Sequence, residues 1–310
     1  SIQPLCTVSC GSAALLVFGL QGKVPPGKIW SAGGSGFSSP EAMAIDPVKN
    51  VLYVANQGTN TLSLFPSADK IHVTLDVATG KRDLSSIQLN RPAGLFVDTA
   101  QDRLYVSNSE SADCSAGPCD TILVFNNAST LTSSATANQT LSHAQLSRPH
   151  GLTVDTTKNR LYAASKGNNA MVAFSVAGVP IFSAVVTGSQ SGLNDPIDVA
   201  VDSTRDILYV LNEGATEVLV FENASTLTGN EAPARIISGD DGAGNNFMVS
   251  PSAMFLDAEK DLLYLADRGA NAVYVFLNAH SAKGPAAHKT LSGDKTGLLN
   301  PAALTVNTTP

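Results

Sequence analysis

The chain has 310 residues, a formal net charge of −7 and only 15% charged residues. A nucleic-acid groove needs a stripe of Lys and Arg, and no such run exists; the longest uncharged apolar stretch, Ala13–Leu20, is too short to span a bilayer. Charge lies well under the roughly 25% of an average protein, yet the β pattern is strong, so this is a folded chain with a quiet surface of Ser, Thr, Asn, Ala and Gly.

Taken in order, the chain repeats one sentence. Leu5–Phe18 aligns without a gap on Leu52–Phe65, with Cys6, Gly11 and Phe18 standing for Tyr53, Gly58 and Phe65, and Lys28–Ser31 reads as a short strand carrying Trp30. Complete units then open at Pro40, Pro92, Pro149, Pro196 and Pro251, and a last one opens at Pro301. Six residues after each proline stands Asp46, Asp98, Asp155, Asp202, Asp257 or Asn307; a tyrosine follows at Tyr53, Tyr105, Tyr162, Tyr209 and Tyr264. A phenylalanine closes the third run at Phe65, Phe125, Phe174, Phe221 and Phe276, the second unit being stretched by eight residues.

Each recurring letter has a local reason. Proline has no N–H to give, so it suits the first residue of a strand. An Asp side chain accepts backbone N–H groups in the turn that follows. Gly58, Gly167, Gly214 and Gly269 are expected to supply the positive φ of a tight hairpin. Runs apolar on both sides suit strands sandwiched between neighbouring sheets, and weaker fourth runs such as Ala234–Ser238 and Lys289–Ser292 complete each unit.

These spacings predict an all-β fold: a six-bladed β-propeller with four antiparallel strands, a to d, per blade. After Pro301 only strand a remains, so the last blade joins C-terminal strand a (Ala303–Val306) to N-terminal strands b to d, with residues 1–31 closing the ring. Residues 1–310 read as one domain.

Cysteine use points outside the cytosol. Cys114 and Cys119 share the eight-residue insertion and are expected to form a local disulfide, a metal site being the rival reading. Cys6 and Cys10 are harder to join. Four residues of ideal strand hold their Cα atoms about 13 Å apart, against about 5.5 Å for a disulfide, so either the strand breaks or both thiols stay free. The chain reads as a mature product whose signal peptide has been removed. Four glycosylation sequons, at Asn127, Asn138, Asn223 and Asn307, map to the face carrying the a–b and c–d turns, where Asn also serves turn geometry.

The stretches PHGLTVDTTKNRLYAASKGNNAMVAF and PSAMFLDAEKDLLYLADRGANAVYVF resemble NHL-type repeats, and the whole chain is similar to six-bladed NHL and bacterial surface propellers. The resemblance implies the fold; its relatives span amidating lyases, gluconolactonase and strictosidine-synthase-like enzymes, and pure interaction modules. Zinc in the lyases is held by several pore histidines, and the lactonase relatives hold a divalent ion with pore carboxylates and an Asn.

Residues flanking the strand-a prolines are expected to line the channel mouth: Ser39, Arg91, Arg148, Asp195, Ser250 and Asn300 before, and Glu41, Ala93, His150, Ile197, Ser252 and Ala302 after, with Asp198 one step deeper. Glu41, Asp195 and Asp198 are expected to pair with Arg91, Arg148 and His150 across a wet pore. His72, His143, His280 and His288 read as solvated surface histidines, and Gly239–Asn246 as a structural turn with a faint likeness to a calcium loop. The expected function is therefore a non-catalytic, secreted or cell-surface scaffold with no cofactor, binding itself or other surface proteins and able to self-assemble. The alternative is a metal-dependent lactonase- or lyase-like hydrolase working at the central pore.

Overall fold

The structure is a computed structural model that describes residues 4–9, 14–19, 28–30, 37–66, 68, 80–109, 120–240, 245–284 and 288–306, the first three segments as backbone only. Strands β1 (Pro4–Ser9), β2 (Ala14–Gly19) and β3 (Lys28–Trp30) come first. Then follow β4 (Pro40–Asp46), β5 (Val51–Asn56), β6 (Thr61–Pro66) and β7 (Arg82–Leu84). The next set is β8 (Pro92–Asp98), β9 (Arg103–Asn108), β10 (Thr121–Asn126) and β11 (Gln139–Leu141). After it stand β12 (Pro149–Asp155), β13 (Arg160–Ser165), β14 (Ala170–Ser175) and β15 (Ile181–Val186). The chain continues through β16 (Pro196–Asp202), β17 (Ile207–Asn212), β18 (Glu217–Glu222) and β19 (Arg235–Ser238). It ends with β20 (Pro251–Asp257), β21 (Leu262–Asp267), β22 (Ala272–Leu277), β23 (His288–Leu291) and β24 (Pro301–Val306).

These strands pair into six four-stranded antiparallel sheets, one of which joins β24 to β1, β2 and β3. The architecture is an all-β propeller. Its innermost strands β4, β8, β12, β16, β20 and β24 pack each on the next, and β24 returns to β4. The core lies between sheets: every apolar cluster is shared by two neighbours, as where Tyr209 and Val218 meet Met254 and Phe276. Tyr53, Tyr105, Tyr162 and Tyr209, with Phe125, Phe174, Phe221 and Phe276, are the largest fully buried side chains. The Tyr/Phe repeat is therefore the wedge that spaces the sheets.

The turn after each inner strand follows from its Asp. Asp46 Oδ1 accepts the N–H groups of Val48 and Lys49 at 2.9 and 2.8 Å, and Asp98, Asp155 and Asp202 each accept the corresponding pair. The chain then reverses through a left-handed residue: Asn50, Asp102, Asn159, Asp206 or Asp261. Asn and Asp tolerate that conformation because their short polar side chains bond locally.

The b–c turns correct one expectation. Gly58, Gly167, Gly214 and Gly269 do not carry the positive φ; Asn60, Asn169, Thr216 and Asn271 do. The glycines are there for space. A Cβ on Gly58 would stand 2.5 Å from Ser38 Oγ, and on Gly167 2.4 Å from Ser147 Oγ.

Candidate active site in the central channel

Antiparallel pairing slips at the same place in every inner strand. Pro40 pairs with Asn56 and Ala42 with Ala55, so Glu41 has no opposite number; the same slip falls at Ala93, at His150–Gly151, and at Ile197, Ser252 and Ala302. A bulge leaves one residue unpaired and re-aims its side chain. Repeated around the ring, it turns the residue after each proline toward the axis. All of them but Ala302 line a cavity of about 260 Å³, together with Asp198 and the deeper parts of the inner strands.

The residues before the prolines are held just as regularly. Ser39, Arg91, Arg148, Asp195 and Asn300 are all left-handed, with φ between 43° and 48°. That conformation costs a non-glycine residue roughly 1–2 kcal/mol, and in four of the five a hydrogen bond to the preceding blade offsets it. The N–H groups of Arg91, Arg148, Asp195 and Asn300 donate to the side chains of Asn60, Asp120, Asn169 and Asn271 at 2.7–2.9 Å. Where Thr216 stands in that place, Ser250 is not left-handed, and its N–H goes to Asp267 Oδ1 at 3.0 Å.

The expected pairing of pore charges is not what forms. Glu41 meets Arg268 at 3.4 Å, a cation from the b–c turn of another blade that the sequence reading missed. Arg91 donates to Gln57 Oε1 at 3.2 Å. Lys166 and Glu213, also missed, form an ion pair. The N–H of Glu213 in turn donates to the carbonyl of Asp195 at 3.2 Å. These three additional charged residues share one sequence signal: Lys166, Glu213 and Arg268 each open a b–c turn, directly after Ser165, Asn212 and Asp267.

Asp198 pairs with backbone and not with a cation. Its Oδ1 accepts the N–H of Val199 at 2.9 Å, and its Oδ2 accepts the N–H of Met254 on β20 at 2.7 Å. On its other side lies Gly151 of β12, where an added Cβ would be 2.0 Å from Oδ1. Burial pushes the carboxyl up to about 7, and the two N–H donors oppose that rise only in part. His150 is held down to about 3, first by burial and then by Lys166, Arg268, Arg148 and Arg91 around it, so its imidazole is neutral at pH 7. The carbonyl of His150 accepts Ser107 Oγ at 2.6 Å. Ser252 Oγ donates to the carbonyl of Pro301 at 2.6 Å, which directs its proton into the wall and away from any base.

The divalent ion implied by the lactonase resemblance does not fit this donor set. Among the described residues no three His, Cys, Asp or Glu side chains converge as a metal site requires.

The remaining expected sites are scattered or outside the described residues. Asn127 and Asn223 are left-handed turn residues, and Asn138 Oδ1 accepts the N–H of Asn126 at 2.7 Å. His143 stacks on Phe182 with ring centroids 3.7 Å apart, and His280 pairs with Asp261. Cys10, Cys114, Cys119, Asn307 and His72, with the side chains of Cys6 and His288, lie outside the described residues.

Residues 27–292 match the family described as "Lactonase, 7-bladed beta-propeller". The chain belongs to the lactonase β-propeller family. The NHL likeness holds at the coarser level of a β-propeller. No curated protein matches the lactonase-family chain by sequence. Among solved structures it is similar to one described as the nidogen/laminin complex, at 15% identity and a TM-score of 0.66, covering 98% of each chain. It is also similar to a candidate 6-phosphogluconolactonase from Bacteroides fragilis, at 14% identity and a TM-score of 0.59, covering 95% of this chain and 80% of that one. At such identities the two likenesses establish the fold alone.

Proposed function

We propose that this lactonase-family chain hydrolyses a lactone at the mouth of its central channel. The observation that carries the reading is Asp198: a carboxyl raised to about 7, in the wall of a cavity that is also lined by His150, whose imidazole is neutral. Perturbed titrating groups gathered in a cleft mark a candidate site, and a base poised near neutrality is what water activation needs. Family membership favours this hydrolase over the non-catalytic scaffold, and the donor set favours a metal-free form of it.

The chemistry balances without a co-reactant. Ionised Asp198 takes a proton from water as the water oxygen attacks the lactone carbonyl carbon. The tetrahedral intermediate carries its negative charge in the cavity that His150 also lines. It collapses with cleavage of the acyl–oxygen bond, and the departing ring oxygen recovers the proton from Asp198. The product is a hydroxy acid. Because hydrolysis releases acid, a pH-stat reads it directly: turnover of simple lactones supports the reading, and none across a broad panel removes it.

We also infer a six-bladed closure, supported by the pairing of β24 with β1; the family description counts seven. An oxidising, extracytosolic location with a Cys114–Cys119 disulfide is a further part of the proposal, tested by alkylation without reductant. A scaffold role has one specific support. Edge strand β15 leaves Ile181 and Phe182 exposed beside exposed Val179, an apolar patch on which another protein could seat.

A further inference from the structure

The geometry points to the outer edge of β15 as a surface on which a second copy of this chain seats, strand against strand. The inference is independent of the hydrolase reading, because β15 is the outermost strand of its sheet and the channel is lined by the innermost ones. Strands β14 and β15 are joined by residues 176–180 alone, the shortest c–d connection in the ring, with Gly178 left-handed at its tip. The two strands therefore run on as a hairpin. β15 reaches six residues, where the other five outer strands have three or four.

The far half of β15 is covered. Gly229, from the next blade, donates its N–H to the carbonyl of Val185 at 2.7 Å and accepts the N–H of Thr187 at 2.9 Å. The near half is not. Among the described residues no backbone group meets the outer side of Ile181, Phe182 and Ser183. Ile181 is 64% and Phe182 40% exposed, beside exposed Val179. Phe182 is held in place by its stack on His143 and its edge contact with Phe174.

An uncovered edge is a template for another strand, and proteins ordinarily guard one with charge or brevity. Of the other outer strands all but β11 carry Arg, Asp or Lys, and β11 has only three residues. Between Lys166 and Asp195 the sequence has no charged residue and no His. That absence selects the occupant. A partner recognised by charge finds none to complement. Two copies of β15 about a two-fold axis set the same neutral residues against each other, an arrangement that like charges would oppose. The pairing also satisfies both backbone edges at once. A strand pair with its hairpin tips is small beside the roughly 1,200–2,000 Å² of a standard interface, so the dimer is a weak one that forms in the micromolar range.

The test is sedimentation velocity of the intact chain across the micromolar range. The expected result is a monomer–dimer equilibrium that stops at two. Ile181→Lys and Ile181→Glu, at an exposed position where the fold should persist in a thermal melt, should each raise the dissociation constant about tenfold or more. An equimolar mixture of the two variants should restore the dimer, because opposite charges then face each other across the axis. Val48→Lys, at an equally exposed apolar residue on an a–b turn, should leave the dimer intact. A wild-type monomer at every concentration gives the face to a different protein and overturns the inference. So does a dimer that survives both Ile181 variants, or one that their mixture fails to restore. Lactone turnover is measured separately, so neither result bears on the hydrolase reading.

Discussion

Asp198 on β16 reaches the neighbouring inner strand, where its Oδ2 accepts the backbone N–H of Met254 at 2.7 Å. One carboxyl thus joins two blades while titrating near neutrality. Its dual position gives a pH dependence of stability with a definite sign. The folded state raises the pKa from 3.8 to about 7, so the native protein holds more protons than the unfolded chain between those values. Stability therefore falls as pH rises through that window. Wild type should lose about 2–4 °C of Tm between pH 4.5 and 7.5 relative to Asp198→Asn. Calorimetry across the range checks it, and a flat difference contradicts the shift.

Gly151→Ala should be more damaging than Gly58→Ala. The first would place a Cβ 2.6 Å from the Asp198 Cα and 2.0 Å from its Oδ1. The second meets a Ser38 hydroxyl that rotates away, with backbone no nearer than 3.2 Å. Overpacking against fixed backbone costs about 1–3 kcal/mol. Denaturant melts should show that loss for Gly151→Ala and a smaller one for Gly58→Ala. Equal effects at the two sites would contradict the close packing of β12 on β16.

The a–b turns suggest a stabilising change. In three blades a cation three residues after the Asp takes its second oxygen: Lys158 on Asp155 at 3.2 Å, Arg205 on Asp202 at 2.6 Å and Lys260 on Asp257 at 2.8 Å. Asp98 has Gln101 at that offset, and its buried Oδ2 has no partner; Asp46 Oδ2 is also unpaired, although Lys49 stands at the same offset. Gln101→Lys should raise stability by about 0.5–1 kcal/mol. A lower denaturation midpoint would show that the lysine fails to close the contact.

Removing a mouth cation should move His150. Arg268 helps to hold the imidazole down and also pairs with Glu41. Arg268→Gln should raise the His150 pKa while leaving it below 6.5, because burial is the larger cause. Imidazole resonances followed by NMR from pH 2.5 to 7 report it directly. An unchanged midpoint would place Arg268 too far away to matter.

The fold was legible because its signals are local. A proline, an Asp six residues on, a Tyr and a Phe each act within one turn or strand, and they recur with the same spacing. The turn glycines were misassigned because Asn60 and Asn169, two residues later, also tolerate a left-handed backbone, and only the packing shows which residue takes it. The bulge at Glu41 and its counterparts exists only in strand pairing, so no run of letters announces it. Glu41 and Arg268 are 227 residues apart and meet only when the ring closes. Asp198 was legible as a pore residue, whereas its donors on Val199 and Met254 are backbone groups without a sequence signature.

In the proposed mechanism Asp198 activates water in the channel without a metal. The most direct measurement is initial acid release from a simple δ-lactone in a pH-stat, for wild type and Asp198→Asn, from pH 5 to 9 and with or without chelator. Wild-type kcat/KM should rise through an apparent pKa near 7 and be indifferent to the chelator. Asp198→Asn should lose about 10²-fold or more and that pH limb with it. A variant as active as wild type would rule out Asp198 as the base, and activity abolished by the chelator would rule out metal-free hydrolysis.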